Sequence, residues 1–127
     1  MPLGIAESQV ESVTLLHLKG TLVVGGDVEL LDNKVLALLG RGVTKILLDL
    51  GELNYVDSSG IGALVRAYST AKEKTAAVKL YHLTRRVHDV LQVTRLNTVF
   101  EIFSDQEKAI ASFGEKAAST EPSGQGG

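Results

Sequence analysis

The sequence has no cysteine among its 127 residues. Without thiols it can form no disulfide framework, no thiolate zinc site and no cysteine nucleophile. It also has no excess of basic residues, since 13 lysines and arginines against 15 acidic residues give a formal net charge of -2. Proteins that bind nucleic acid or an anionic membrane usually carry a basic surface, so this balance argues against both classes of partner.

Long apolar runs are missing as well. No stretch approaches the roughly 20 apolar residues needed to span a bilayer. The N-terminal segment MPLGIAESQVES lacks the basic and apolar regions of a secretory signal. We therefore expect no membrane insertion and a cytoplasmic location. The histidines His17, His82 and His88 stand at no recognised ligand spacing, so we expect neither a metal site nor a cofactor.

Apolar residues make up 44% of the chain, which is typical of a globular domain, and the length fits one such domain. KILLDL, at 45–50, is a nearly unbroken apolar run, as in a central strand covered on both faces. We expect the next residues, GELNYVD at 51–57, to form a loop, with Tyr55 packed beneath it. The helix predicted after this loop has an apolar stripe that consists of Ile61, Leu64, Val65 and Tyr68.

Over the whole chain, this pattern predicts the order β-β-α-β-α-β-α-β-α, and hence an α/β fold with a parallel or mixed sheet. The first long strand is expected at 9–19, after a short one at 3–6. Two helix starts are also predicted, with Asp27 as the N-cap of the first helix and Ser104 with Glu107 as a capping box. One domain is expected at 1–114, followed by a disordered tail at 115–127, which has no apolar anchor.

The segment DSSG, at 57–60, follows the central strand, and functional loops of open α/β sheets lie at that end of a strand. A serine hydrolase elbow needs a glycine two residues before the serine, but Val56 and Asp57 occupy those positions. A dinucleotide turn of the form G-x-G-x-x-G needs a third glycine at position 65, which is Val65. Both enzymatic interpretations therefore fail on spacing.

Two interpretations stay open for this segment. In the first, Asp57 or Ser58 only caps the helix, while Gly60 and Gly62 allow close packing on the sheet. In the second, Ser58 carries a regulatory phosphate, because the N-terminus of a helix favours an anion. Such a phosphate adds about -1.5 to -2 charges beside Asp57, and it would disrupt a protein interface at that point by repulsion.

The segment KILLDLGELNYVDSSGIGALV, at 45–65, resembles the central block of the anti-sigma factor antagonist family. This family is the bacterial branch of the sulfate transporter and anti-sigma factor antagonist (STAS) domain. The segment from VKLYHL to AIASF, at 78–113, is similar to the family's C-terminal half. The resemblance covers roughly residues 3–113. It implies a STAS domain over 1–114, with a mixed sheet of about four to five strands and about four helices, mostly on one side.

The resemblance also implies a binding protein that is not an enzyme. In this family the unphosphorylated domain binds an anti-sigma factor with serine kinase activity, which releases a sigma factor. The kinase phosphorylates the first serine of the motif, here Ser58 with Ser59 as the alternative, and a serine phosphatase reverses the step. The partner-binding residues that we expect are Asp27, Asp57, Ser58, Ser59, Gly60, Ile61, Gly62 and Arg66.

The sequence departs from the family pattern at one position. Many members carry G-x-L-D after the second strand, and the acid belongs to the partner-binding face. This chain has G-T-L-V at 20–23, so Val23 replaces the acid, and Asp27 is the nearest acid that could substitute. The departure leaves open a second function, as a STAS scaffold in a pathway without a sigma factor, either stressosome-like or as a transporter accessory.

Overall fold

The computed structural model describes residues 1–114, and the tail predicted at 115–127 lies outside the described residues. The strands are β1 (Gly4–Val10), β2 (Val13–Leu22), β3 (Lys45–Val56), β4 (Ala77–Tyr81) and β5 (Ile102–Phe103). The α-helices are α1 (Gly26–Gly40), α2 (Ser58–Glu73), α3 (Arg85–Val93) and α4 (Gln106–Gly114), and a 3₁₀ turn lies at Leu96–Thr98. The predicted order of strands and α-helices is confirmed.

The five strands form one mixed sheet in the order β1-β2-β3-β4-β5. β1 pairs antiparallel with β2, and the other three pairs are parallel. Helices α1, α2 and α3 pack on one face of this sheet, and α4 packs on the other. The expected α/β fold, with its helices mostly on one side, is therefore confirmed.

Strand β3 explains the unbroken apolar run at 45–50. Ile46, Leu48 and Leu50 point into the core beneath α1, α2 and α3, whereas Leu47 points into the smaller core beneath α4. Farther along β3 the α4 side of the sheet becomes polar, with Asp49 and then Gly51. Helix α4 thus covers only part of its face of the sheet.

Two predicted boundaries are wrong. Residues 51–56 are the second half of β3 and not a loop, because the buried Leu53 and Val56 continue the core and pair with β2. The strand expected at 9–19 is divided by a turn, in which Glu11 takes a left-handed conformation with φ of 56°. Among residues 1–114, no helix is long and apolar enough to cross a bilayer.

Both predicted helix caps are also wrong. Gly25 occupies the N-cap of α1, and Asp27 lies in the first turn of the helix with its side chain buried. At the start of α4, the Asp105 carboxylate accepts a hydrogen bond from the Glu107 amide at 2.9 Å. Asp105, and not Ser104, is therefore the acceptor at that helix start.

Candidate functional site

The DSSG segment forms the junction between β3 and α2. Asp57 is the N-cap residue, with an extended backbone, and its Oδ1 accepts a hydrogen bond from the Gly60 amide at 2.8 Å. Such a cap satisfies one of the amides that a helix start leaves without a partner. Of the two capping candidates, the structure thus selects Asp57 and leaves Ser58 as the first helical residue.

The two serines differ in accessibility. Ser58 is exposed, whereas Ser59 is half-buried. Within residues 1–114 no hydrogen bond involves the hydroxyl of Ser58, so this oxygen is held by no other part of the described chain. An exposed hydroxyl at a helix start is open to a kinase, and a phosphate there would face the positive end of the helix dipole.

Gly60 brings α2 close to the end of β2. The residue is buried, and a Cβ atom built on it would collide with the backbone oxygen of Leu22. Leu22 also accepts a backbone hydrogen bond from the Asp57 amide at 3.3 Å. Position 60 must therefore be glycine for the serine helix to start this near to β2.

The Asp57 carboxylate also reaches a second loop. Its Oδ2 accepts a hydrogen bond from the Val24 amide, in the loop between β2 and α1, at 3.0 Å. The amides of Val24 and Gly60 hold the pKa of Asp57 below its ordinary value, although partial burial opposes ionisation. Asp57 is therefore a carboxylate at neutral pH, and it joins the serine helix to the β2–α1 loop.

The buried carboxylate of Asp27 also contacts the loop between β2 and α1. Its carboxylate accepts hydrogen bonds from the Leu3 amide at 2.9 Å, the Thr21 hydroxyl at 2.7 Å and the Val23 amide at 3.2 Å. Burial raises the pKa of Asp27, but these three bonds outweigh it and leave the pKa below the ordinary value. Asp27 is only 8% exposed, so its carboxylate shapes the loop and is not displayed to a partner.

The remaining residues that we expected at the site lie along α2. Ile61 is half-buried and packs against the core, and Gly62 is half-buried beside the Arg66 side chain. Arg66 is exposed and donates two hydrogen bonds to Asp32 of α1, at 3.3 and 3.1 Å. Arg66 thus ties α2 to α1 at the surface.

Sequence reasoning missed two apolar residues near Ser58. Val24 is 71% exposed and Tyr55 is 47% exposed, so the expectation that Tyr55 packs beneath a loop is wrong. The Arg86 guanidinium lies 5.8 Å from the centre of the Tyr55 ring, within the range of a cation–π contact. The exposure of these two side chains depends on how the folded chain packs around them, and the sequence pattern does not show it.

A comparison with protein families gives one match over most of the chain. The family model described as "Mlab, STAS domain" matches residues 5–103. BtrV of Bordetella bronchiseptica, a proposed anti-sigma factor antagonist, is 23% identical over 105 residues, which are 83% of this chain and 90% of BtrV. The anti-sigma-B factor antagonist of Listeria monocytogenes is 31% identical over 55 residues, which are 43% of this chain and 48% of that protein.

Solved structures show the same fold. A proposed anti-sigma factor antagonist of Thermotoga maritima matches with a TM-score of 0.81 at 21% identity, over 87% of this chain and 95% of that one. The unphosphorylated anti-sigma factor antagonist SpoIIAA of Bacillus matches with a TM-score of 0.66 at 21% identity, over 87% and 97%. The four relatives and structures described above bear the names of regulatory antagonists and not of enzymes, in agreement with the expectation from the sequence.

Proposed function

Since the chain belongs to the STAS domain family, we propose that it acts as an anti-sigma factor antagonist by partner switching. The unphosphorylated protein binds an anti-sigma factor with serine kinase activity and thereby releases a sigma factor. That kinase phosphorylates Ser58, which abolishes binding, and a serine phosphatase restores the active form. In this proposal the protein works in the cytoplasm and binds another protein, and neither nucleic acid nor membrane is a partner.

The observation that carries the proposal is the state of the Ser58 hydroxyl. It is exposed at the first residue of a 16-residue helix. Two exposed side chains adjoin this helix start: Val24, in the loop between β2 and α1, and Tyr55, near the end of β3. Exposed apolar and aromatic side chains are common at the centre of protein interfaces. A phosphate at this position would therefore act on a contact surface.

The hydrogen bonds of Asp57 suggest how the phosphate acts. A phosphate on Ser58 adds about -1.5 to -2 charges next to the Asp57 carboxylate. The phosphate and the Asp57 carboxylate would compete for the backbone amides at the start of α2, where the Gly60 amide donates to Asp57 in the unphosphorylated protein. Phosphorylation is therefore expected to weaken the hydrogen bonds that the Gly60 and Val24 amides donate to Asp57. The added charge is also expected to repel an acidic partner surface.

Binding and mass measurements together test the proposal. The wild type, Ser58→Ala and Ser58→Asp are used as baits, and a captured protein counts only if, once purified, it transfers phosphate from ATP to Ser58. We expect the wild type and Ser58→Ala to retain this kinase and Ser58→Asp to lose it. Ser59→Ala is the matched control and should still be phosphorylated. Equal retention by all four proteins would contradict the switch.

The scaffold function remains the second candidate, and one position favours it. Val23 stands where many family members carry an acid, and Asp27, the nearest replacement, is buried and fully engaged. A scaffold would bind its partner equally with and without phosphate on Ser58. A Val23→Asp substitution separates the two functions, because it should strengthen binding to a kinase partner only if the protein is an antagonist.

A further inference from the structure

A row of polar side chains crosses the part of the sheet that α4 leaves open. Leu15 on β2 and Leu47 on β3 are neighbours beneath α4. Two residues farther along each strand, the neighbours are His17 and Asp49, outside the apolar core under α4. Ser8, on the edge strand β1, lies beside His17. This row shares no residue with the Ser58 site.

The distances in this row match those of an activated serine. The Oγ of Ser8 lies 3.0 Å from Nε2 of His17, and Nδ1 of His17 lies 2.8 Å from Oδ2 of Asp49. A carboxylate can only accept, so neutral His17 must carry its proton on Nδ1. Its Nε2 then has a lone pair directed at Ser8, whose hydroxyl donates to it. A nucleophile, a base and a group that orients the base stand in series.

The orienting carboxylate is itself fixed. Oδ1 of Asp49 accepts from the Gly51 amide at 3.0 Å and lies 3.2 Å from Nδ1 of His82. His82 takes a left-handed conformation with φ of 63°, and its ring occupies the space where a side chain on Gly51 would lie. With its side chain 17% exposed, Asp49 is held on both oxygens and cannot turn away from His17.

We propose that Ser8 is a nucleophilic modification site for activated acyl groups, such as acyl phosphates and aryl esters. Ser8 Oγ bonds to the acyl carbon while its proton passes to Nε2 of His17. The bond from the acyl carbon to the leaving oxygen breaks, and phosphate or aryl oxide departs with that electron pair. Asp49 positions His17 and accepts no proton. His17 afterwards returns the proton to water, leaving an ester on Ser8.

The test treats the full chain with p-nitrophenyl acetate, and then with acetyl phosphate, and follows acetylation by peptide mass spectrometry. Ser69, an exposed serine on α2, is the internal reference. We expect Ser8 to be acetylated at least about tenfold faster than Ser69, because a positioned general base typically accelerates such steps by roughly 10²- to 10⁴-fold. Equal rates at the two serines would overturn the proposal.

Two variants distinguish reactivity from a structural role. In His17→Gln the amide can still bond Ser8 and Asp49 but cannot take a proton. In Asp49→Asn the remaining oxygen can still accept from Gly51, while the amide group donates to His17 and reverses its tautomer. Both should unfold at nearly the wild-type temperature yet lose the excess rate at Ser8. His88→Asn, which changes a histidine that contacts Asp89 outside this row, should keep it. An unchanged rate in folded His17→Gln would show that the row is only structural.

Discussion

The carboxylate of Asp57 binds the amide of Val24 across 33 positions of sequence, at 3.0 Å. The other oxygen of the same carboxylate caps α2 through Gly60. One side chain therefore sets both the start of the serine helix and the position of the exposed loop between β2 and α1. A change at Ser58 that disturbs Asp57 is expected to reach that loop without any refolding of the domain.

Substitution of Asp57 by alanine should release two amides at once. We expect faster hydrogen exchange at Val24 and Gly60, because each loses its acceptor, while the centre of β3 stays protected. Amide exchange followed by nuclear magnetic resonance measures this. Asp105→Ala is the matched control, since it removes an acceptor at the start of α4 and should leave Val24 unchanged. An unaltered Val24 amide in Asp57→Ala would contradict the link.

The two glycines of the serine helix should respond in opposite ways to alanine. At Gly60 the new methyl group meets the Leu22 backbone, and overpacking of this kind costs about 1–3 kcal/mol. At Gly62 the nearest atom is Arg66 Nη1 at 3.5 Å, an ordinary contact, so alanine should stabilise the helix by about 0.5–1 kcal/mol. Urea unfolding of both variants gives the comparison, and a stable Gly60→Ala would show that α2 can start farther from β2.

Asp27 should make stability depend on pH in the acid range. Its folded pKa is below the ordinary value, so its contribution is present above the unfolded pKa of about 4 and is lost as pH falls through the folded value. Asp27→Asn leaves one acceptor oxygen for three donors. At pH 7 we expect it to cost about 1–3 kcal/mol of unfolding free energy.

The difference in stability between wild type and Asp27→Asn should therefore shrink as the solution is acidified below about pH 4. Urea titrations at a series of pH values measure it. A difference that stays constant from neutral pH down through this range would mean that the three bonds do not depend on the charge of Asp27.

The contact between Arg66 and Asp32 should contribute little to stability. Their side chains are 53% and 33% exposed, and pairs of this kind usually couple by about 0.2–1 kcal/mol. A double-mutant cycle with Arg66→Ala and Asp32→Ala measures the coupling, which should fall as salt is added. If Arg66 contacts the partner, Arg66→Ala should weaken partner binding more than Asp32→Ala does.

Much of the fold followed from local patterns. The apolar run at 45–50 predicted a strand covered on both faces, because successive residues of a strand point to opposite faces of the sheet. Ile46 and Leu47 indeed lie in the two separate cores. The second half of β3 was missed because polar residues interrupt the run, and its pairing with β2 decides its conformation. The start of the serine helix was found because a cap and a helical stripe are both local signals.

The sequence by itself determined the order of the strands and helices and placed Ser58 at the beginning of a helix, because periodicity and capping depend on neighbouring residues. Only the tertiary structure decided that Asp27 turns inward, that Asp57 reaches Val24, and that Ser8, His17 and Asp49 form a row. Each of these contacts joins residues far apart in the chain. Strand pairing and the packing of helices on the sheet bring such residues together, and both depend on which distant segments meet in the folded chain.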